Sequence, residues 1–249
     1  MRAGSGQGGS YIRREYQDTG DTPRGGGIGL GSDAAAKRRA RTVVGRLRKE
    51  YPDAHCALRF EDPLQLLVAA ILSAQSTDER VNTITPELFR RYPTPRDFAA
   101  ASQPELEEAI RTVGLFRNKA RSIQAACREI AERHGGEVPR TMEALSALPG
   151  IGRKTANVIL GTAFGIPSGI TVDTHVHRLS RRLGLCDPAE ENTDRVERAL
   201  LEVIPQPDWI FFGHALIQHG RQVCHARRPR CSQCVLQDVC PRNGVTVSD

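Results

Sequence analysis

Aromatic side chains make up only 5% of this 249-residue chain, too few for an open platform on which successive single-stranded bases would stack. Long apolar runs are missing as well. The longest, Leu64 to Leu72, is interrupted by Gln65 and falls short of the roughly twenty residues that a membrane-spanning helix requires. It reads as a buried core helix, and no membrane partner is expected. The N-terminal segment lacks the apolar stretch of a secretory signal. Strand-like alternation never lasts beyond a few residues, Ile170 to Val172 being the best case. The cysteines number seven, an odd count that, without a secretory signal, points to a reducing compartment where disulfides are rare. What remains is a cytoplasmic, all-α protein.

What is present is positive charge. The net charge is +6 and the pI about 9.1, a bias toward polyanionic partners. The charge is also clustered. Arg38, Arg39, Arg41, Arg46, Arg48 and Lys49 crowd one early segment, and Arg221, Arg227, Arg228 and Arg230 surround a group of cysteines near the C-terminus. With so few aromatics, duplex backbone fits this charge better than single strands do.

Residues 1–31, rich in Gly, Ser and mixed charge, form no core and read as a disordered tail. Ser32 or Asp33 then caps a helix whose apolar positions Ala40, Val43, Val44, Leu47 and Tyr51 follow helical spacing, with arginines opposite. Asp62 and Pro63 open the apolar helix. Thr77 opens another, with Pro86 kinking or dividing it. Pro95 and Pro104 each begin a short helix, and Gly114 ends the second. Asn118 caps a helix that buries Ile123, Cys127, Ile130 and Ala131 and stops at Gly135–Gly136. Thr141 begins a short one. Residues 153–164, 174–183, 193–204 and 207–220 complete the series.

Cys224, Cys231, Cys234 and Cys240 follow the pattern C-x6-C-x2-C-x5-C. Thiolates gathered so densely require an electropositive centre. Structural zinc takes two C-x2-C-type pairs set apart by a longer stretch, and only Cys231 and Cys234 are so paired here. One continuous loop supplying all four ligands suits an iron–sulfur cubane better, with zinc as the alternative and disulfides last. Cys56, Cys127 and Cys186 lie apart in apolar settings and read as small core residues.

Leu148-Pro149-Gly150-Ile151-Gly152-Arg153-Lys154-Thr155-Ala156 joins two helices. Two glycines around one apolar residue make a tight hairpin in which Ile151 plugs the core. The backbone at Gly150 and Gly152 can approach a ligand closely, and the next helix begins there with its unpaired N–H groups facing outward. Such a site binds phosphate without reading base sequence. An ordinary helix connection is the plain alternative. Lys154 by itself is an exposed cation making one more backbone contact, and Asp173 by itself is the N-cap of the helix that begins at Thr174.

Three motifs in order, L-P-G-I-G-R-K-T-A-N-V-I-L, then V-D-T-H at Val172–His175, then the four-cysteine pattern, resemble the endonuclease III family. These are helix-hairpin-helix DNA glycosylases with a [4Fe-4S] cluster, and the likeness runs from about residue 40 to 241. The resemblance implies two helical domains with the DNA groove and active site between them. One is a six-helix barrel domain over residues 56–166 that carries the hairpin. The other is a discontinuous cluster domain over 32–55 and 167–249. Lys154 would be the nucleophile, its amine form favoured by the helix N-terminus and partial burial, and Asp173 the catalytic carboxylate. The implied reaction is base removal, a Schiff base with the opened sugar, and β-elimination of the 3′ phosphate.

Gln75 and Leu115 match the residues that family inserts into the gap left by an extruded nucleotide. Gly150, Gly152, Arg153, Arg227, Arg228 and Arg230 would contact DNA, and His175 would line the pocket or simply pack. The implied partner of this monomer is duplex DNA with a damaged pyrimidine or an abasic site, met in the cytoplasm, on the nucleoid if the cell is bacterial. An adenine-mispair glycosylase of the same superfamily is the nearest alternative. Those enzymes carry a glutamate in the helix equivalent to Leu64–Ser73, where this chain has no acid, usually lack a lysine after the G-x-G turn, and have a further C-terminal domain, where this chain stops soon after Cys240. A non-catalytic iron–sulfur DNA-binding module is the other alternative.

Overall fold

The computed structural model describes residues 30–249, and its regular elements are helices, with no strand among the described residues. The first, α1, spans Leu30–Glu50. It begins ahead of Ser32 and Asp33, so neither is its cap. Apart from Leu30 and Gly31, the tail expected over 1–31 lies outside the described residues.

Local signals account for most helix starts. In α2 (Pro63–Ser73) the Asp62 carboxylate accepts from the Gln65 N–H at 2.9 Å and Pro63 occupies the first turn, where no N–H is needed. Leu64 and Leu66 to Leu72 are all buried. A helix apolar on nearly every side can only be central. Thr77 caps α3 (Asp78–Arg91), which runs through Pro86 rather than dividing there. Acids in its first turn and arginines in its last favour the helix dipole, and buried Val81, Thr85 and Leu88 hold it on the core.

Thr94 and Asp97 form a reciprocal capping box on α4 (Pro95–Ala100), and Ser102 caps α5 (Gln103–Ala109). The latter ends well before Gly114. The expected cap at Asn118 is also corrected. α6 (Phe116–Arg133) starts after Leu115, which is left-handed at φ 57° and makes no side-chain cap, so Asn118 lies inside the first turn. It closes as expected, the Gly136 N–H donating to the Ile130 carbonyl at 3.0 Å. Thr141 caps α7 (Met142–Ala147), and α8 (Arg153–Phe164) follows Gly152. Asp173 caps α9 (Thr174–Arg182), and Asn192 caps α10 (Thr193–Val203). A 3-10 turn at Gln206–Asp208 leads into α11 (Trp209–Gln222).

Buried apolar side chains form two clusters. The first draws on Leu58 through Leu160, with α2 at its centre against α3, α6 and α8. The second combines α1 with residues from Ile170 to Leu236. The chain crosses between them along residues 165–173. Ile170 and Val172 are buried in the second cluster and make no strand. Part of the early arginine crowd proves structural. Arg39 donates to the Gly184 carbonyl at 2.9 Å, Arg48 pairs with Asp208 at 2.6 Å, and Arg46 pairs with Asp238. These contacts fasten α1 to the second core.

Leu67 is fully buried at the centre of α2. Leu67→Ala should lower unfolding stability by about 2–5 kcal/mol in urea titrations. A loss well under 1 kcal/mol would mean that α2 is not the central helix.

Candidate active site

The hairpin between α7 and α8 is held by sterics. Gly150 has φ 81°, and a Cβ there would stand 2.7 Å from the Ser122 Cβ on α6. Only glycine satisfies both conditions. Ile151 is buried as expected, its N–H donating to the Leu148 carbonyl at 3.1 Å. Gly152 differs. It has an ordinary extended backbone, and a Cβ would meet nothing within 4 Å. The fold therefore leaves open space at Gly152. The first N–H groups of α8 receive no side-chain cap, which keeps them available to an outside acceptor.

Lys154 and Asp173 line one cleft of about 530 Å³, together with residues of α2, α8 and α11. The cleft thus lies between the two apolar clusters. The Asp173 Oδ1 accepts from the N–H groups of His175 and Val176 at 2.9 and 2.8 Å. Its Oδ2 has no partner among the described residues. Lys154 is exposed, so the partial burial expected of it is absent in the free protein, where the cleft is open. His175 packs rather than lining this cleft. It accepts from Arg178 at 3.2 Å, and burial together with Arg178 and Arg221 lowers its pKa below the usual histidine value.

A buried network ties α8 to α10. Glu197, 6% exposed, accepts from Arg153 Nε at 3.1 Å and Asn157 Nδ2 at 2.9 Å. Ser168 donates to Asn157 Oδ1 at 2.8 Å. Gly169 makes room for this. A Cβ on it would stand 2.2 Å from Glu197 Oε1. Arg153, expected on DNA, therefore has a protein partner, though its two Nη atoms have none among the described residues. Across the cleft mouth, Arg221 of α11 pairs with Asp78 of α3 at 2.7 Å.

Gln75 and Leu115 lie on two loop tips, both exposed, and both with positive φ at 55° and 57°. Leu115 is a large apolar residue left 55% open to solvent. The tips touch: the Gly114 N–H donates to Ser76 Oγ at 3.2 Å, and a Cβ on Gly114 would stand 3.3 Å from the Gln75 carbonyl.

Cys224, Cys231, Cys234 and Cys240 line a second, small pocket. They ring it rather than closing on one point, and among the described residues no His, Cys, Asp or Glu group is gathered to hold a single metal ion. Burial first, and then the other three cysteines, push the Cys234 thiol up to about 11. Four such sulfurs need a cationic centre before they can all be thiolates, and a cubane places an iron near each. The surroundings suit thiolates. Arg182 Nη1 donates to Cys224 Sγ at 3.3 Å and the Leu236 N–H to Cys234 Sγ at 3.4 Å. Burial pushes His219 down to about 4 and Tyr51 up to about 12. The His219 ring bridges the two sides of this region, its Nδ1 hydrogen-bonded with the Tyr51 hydroxyl at 2.9 Å and its Nε2 with Cys234 Sγ at 3.4 Å.

Arg178 and Arg182 of α9 brace the loop, Arg178 through the Cys224 carbonyl at 2.9 Å and Arg182 through those of His225 and Ala226 at 2.8 and 2.7 Å. Arg227, Arg228 and Arg230 are exposed on the loop, and Arg228 pairs with Asp249 at 2.7 Å. Sequence reasoning missed Glu197, Asn157, Gly169, Arg178 and Arg182. Arg178 and Arg182 had a local signal, since basic residues one turn apart on a half-buried helix need acceptors. The Glu197 group had none.

Residues 68–206 match the family model described as HhH-GPD superfamily base excision DNA repair protein, and residues 224–240 match the iron-sulfur binding domain of endonuclease III. The chain is 54% identical to an endonuclease III from Synechocystis sp. over 84% of its length and 94% of that protein's. It is 46% identical to the Bacillus subtilis endonuclease III, over 76% and 86%. Among solved structures it is similar to a trapped endonuclease III–DNA covalent intermediate, with 45% identity and a TM-score of 0.78 over 83% of this chain and 96% of that one.

The two hairpin glycines should respond unequally to alanine. Gly150→Ala should cost more than about 1 kcal/mol in chemical denaturation. Gly152→Ala should cost clearly less, under about 1 kcal/mol, since it meets no atom and loses only the preference of an N-cap for glycine over alanine. Equal losses would contradict the open space at Gly152.

Proposed function

Because the chain belongs to the endonuclease III family of base-excision repair enzymes, we propose that Lys154 and Asp173 do its chemistry, on oxidised pyrimidines. The protein is a DNA glycosylase and abasic-site lyase that carries a [4Fe-4S] cluster. The observation that carries the residue assignment is the shared cleft. A lysine and a carboxylate with a free oxygen face the same space from opposite cores.

The neutral Lys154 amine attacks C1′ of an extruded deoxyribose. A C–N bond forms, the glycosidic bond breaks, and the base leaves with the electron pair and gains a proton. The ring then opens to a protonated imine between Lys154 and the sugar. Loss of a C2′ proton expels the 3′ phosphate and cleaves the strand. Asp173 fits two tasks. Held by the backbone of α9 through Oδ1, it offers Oδ2 to take the lysine proton and to face the cation that develops on the sugar. Where the lysine is exposed in the free protein, DNA seated over the cleft would exclude water from around it.

The remaining residues grip the duplex. Gly150, Gly152 and the open end of α8 receive a phosphate through backbone N–H groups. The Nη atoms of Arg153, with Arg227, Arg228 and Arg230 on the cluster loop, add charge along the strand. Gln75 and Leu115 fill the space the extruded nucleotide leaves. Cys224, Cys231, Cys234 and Cys240 would hold the cluster, whose irons would bind the four thiolates and so draw the loop into a basic knuckle. The first apolar core corresponds to a hairpin domain over 56–166, and the second to a cluster domain over 32–55 and 167–249. No described helix is long and apolar enough to cross a membrane. The protein works as a monomer on DNA in the cytoplasm.

The absence of an acid in α2 and the presence of Lys154 favour this reading over an adenine-mispair glycosylase, and the lysine–carboxylate pair favours it over a binding module. Lys154→Gln should abolish borohydride trapping on abasic duplex while duplex affinity stays within about threefold of wild type. Wild-type-like trapping by the variant would remove Lys154 from the chemistry.

A further inference from the structure

Of the chain's four lysines, Lys119 alone is buried, at 5% exposed. It stands on the apolar stripe of α6 with Ile123, Cys127 and Ile130, where an ammonium group is tolerated only if its protons are bonded. Two of them are. Nζ donates to the Leu72 carbonyl at 2.8 Å and to Ser76 Oγ at 3.0 Å. Leu72 lies in the last turn of α2, where carbonyls lack an intrahelical partner and a cation is favoured.

These contacts reach both loop tips, one of which lies between Ser73 and Asp78 of the cleft lining. Ser76 Oγ, held by Lys119, also accepts from the Gly114 N–H, and the Ser76 N–H donates to the Ser73 carbonyl at 3.0 Å. That fixes the turn on which Gln75 sits. The Lys119 backbone N–H closes the first turn of α6 on the Leu115 carbonyl at 3.1 Å, a bond that does not depend on its side chain. Gln75 and Leu115 both have the left-handed backbone that non-glycine residues avoid. Such conformations cost on the order of 1–3 kcal/mol each and persist only where surrounding contacts impose them. Through the Ser76–Gly114 bond, the Lys119–Ser76 pair is a contact that spans the two tips.

We propose that Lys119 is a positioning residue that locks the Gln75 and Leu115 turns together as one rigid wedge for entry into duplex DNA. The proposal rests on the reading of those two residues as the inserted ones. Its consequence is selective. A loosened wedge fails where a base must be driven out of a paired stack, and matters little where the base is already unpaired.

The test compares single-turnover excision of thymine glycol from a fully paired duplex and from the same sequence with the lesion in a short unpaired bubble. Lys119→Met and Ser76→Ala should each slow the paired reaction about tenfold and the bubble reaction no more than about twofold. Leu115→Ala, which removes the wedge directly, should do the same. If Leu115→Ala lowers the paired-to-bubble ratio and neither Lys119→Met nor Ser76→Ala does, the proposal is overturned and the wedge stands. If Leu115→Ala leaves the ratio unchanged, the wedge reading fails and takes the proposal with it. Equal slowing of both substrates by Lys119→Met would also overturn it, since that is a general structural loss. Should Lys119→Met not fold, Ser76→Ala decides alone, because it keeps the Lys119–Leu72 bond.

Discussion

Glu197, on α10 of the second core, accepts from Arg153 and Asn157 of α8 in the first, and Gly169 leaves it the room to do so. A buried carboxylate stripped of such partners costs several kcal/mol, so the joint strongly opposes rotation of one core against the other. Lys154 lies between Arg153 and Asn157 on α8, and its direction is set with theirs. Asp173 follows Gly169 along the same connecting segment. Both groups that line the cleft are therefore placed by contacts at one joint, although they belong to different halves of the molecule.

The cluster loop reaches the same place from the other side. Arg178 and Arg182 extend from α9 to the carbonyls around Cys224, and Asp173 caps the opposite end of that helix. A cluster that folds the loop thus also steadies the helix presenting the carboxylate. The arginines between the first two cysteines stay in solvent, where their charge can meet phosphate.

Much of this was legible in the sequence because its signals are local. Asp62–Pro63, Thr77, Thr141 and Asp173 each announce a helix start, and L-P-G-I-G and the cysteine spacing announce the hairpin and the cluster. The misses are contacts between distant residues. Asn118 looked like a cap because its side chain suits one, yet α6 begins after Leu115, whose backbone is left-handed at φ 57°. Lys119 left a trace, a charge in line with Ile123, Cys127 and Ile130, which periodicity could have flagged. Arg153 looked free for DNA because Glu197 is 44 positions away. Part of the early arginine crowd looked like a polyanion site for the same reason, its partners Gly184, Asp208 and Asp238 being far along the chain. Lys154 was expected to be partly buried. The cleft that would bury it is open until something fills it.

The account stands most directly on where the covalent bond to DNA forms, and four lysines make that question sharp. Wild-type protein reduced with borohydride on abasic duplex, then digested and sequenced by mass spectrometry, should carry the sugar remnant on Lys154. A remnant on Lys37, Lys49, Lys119 or the terminal amine would contradict it.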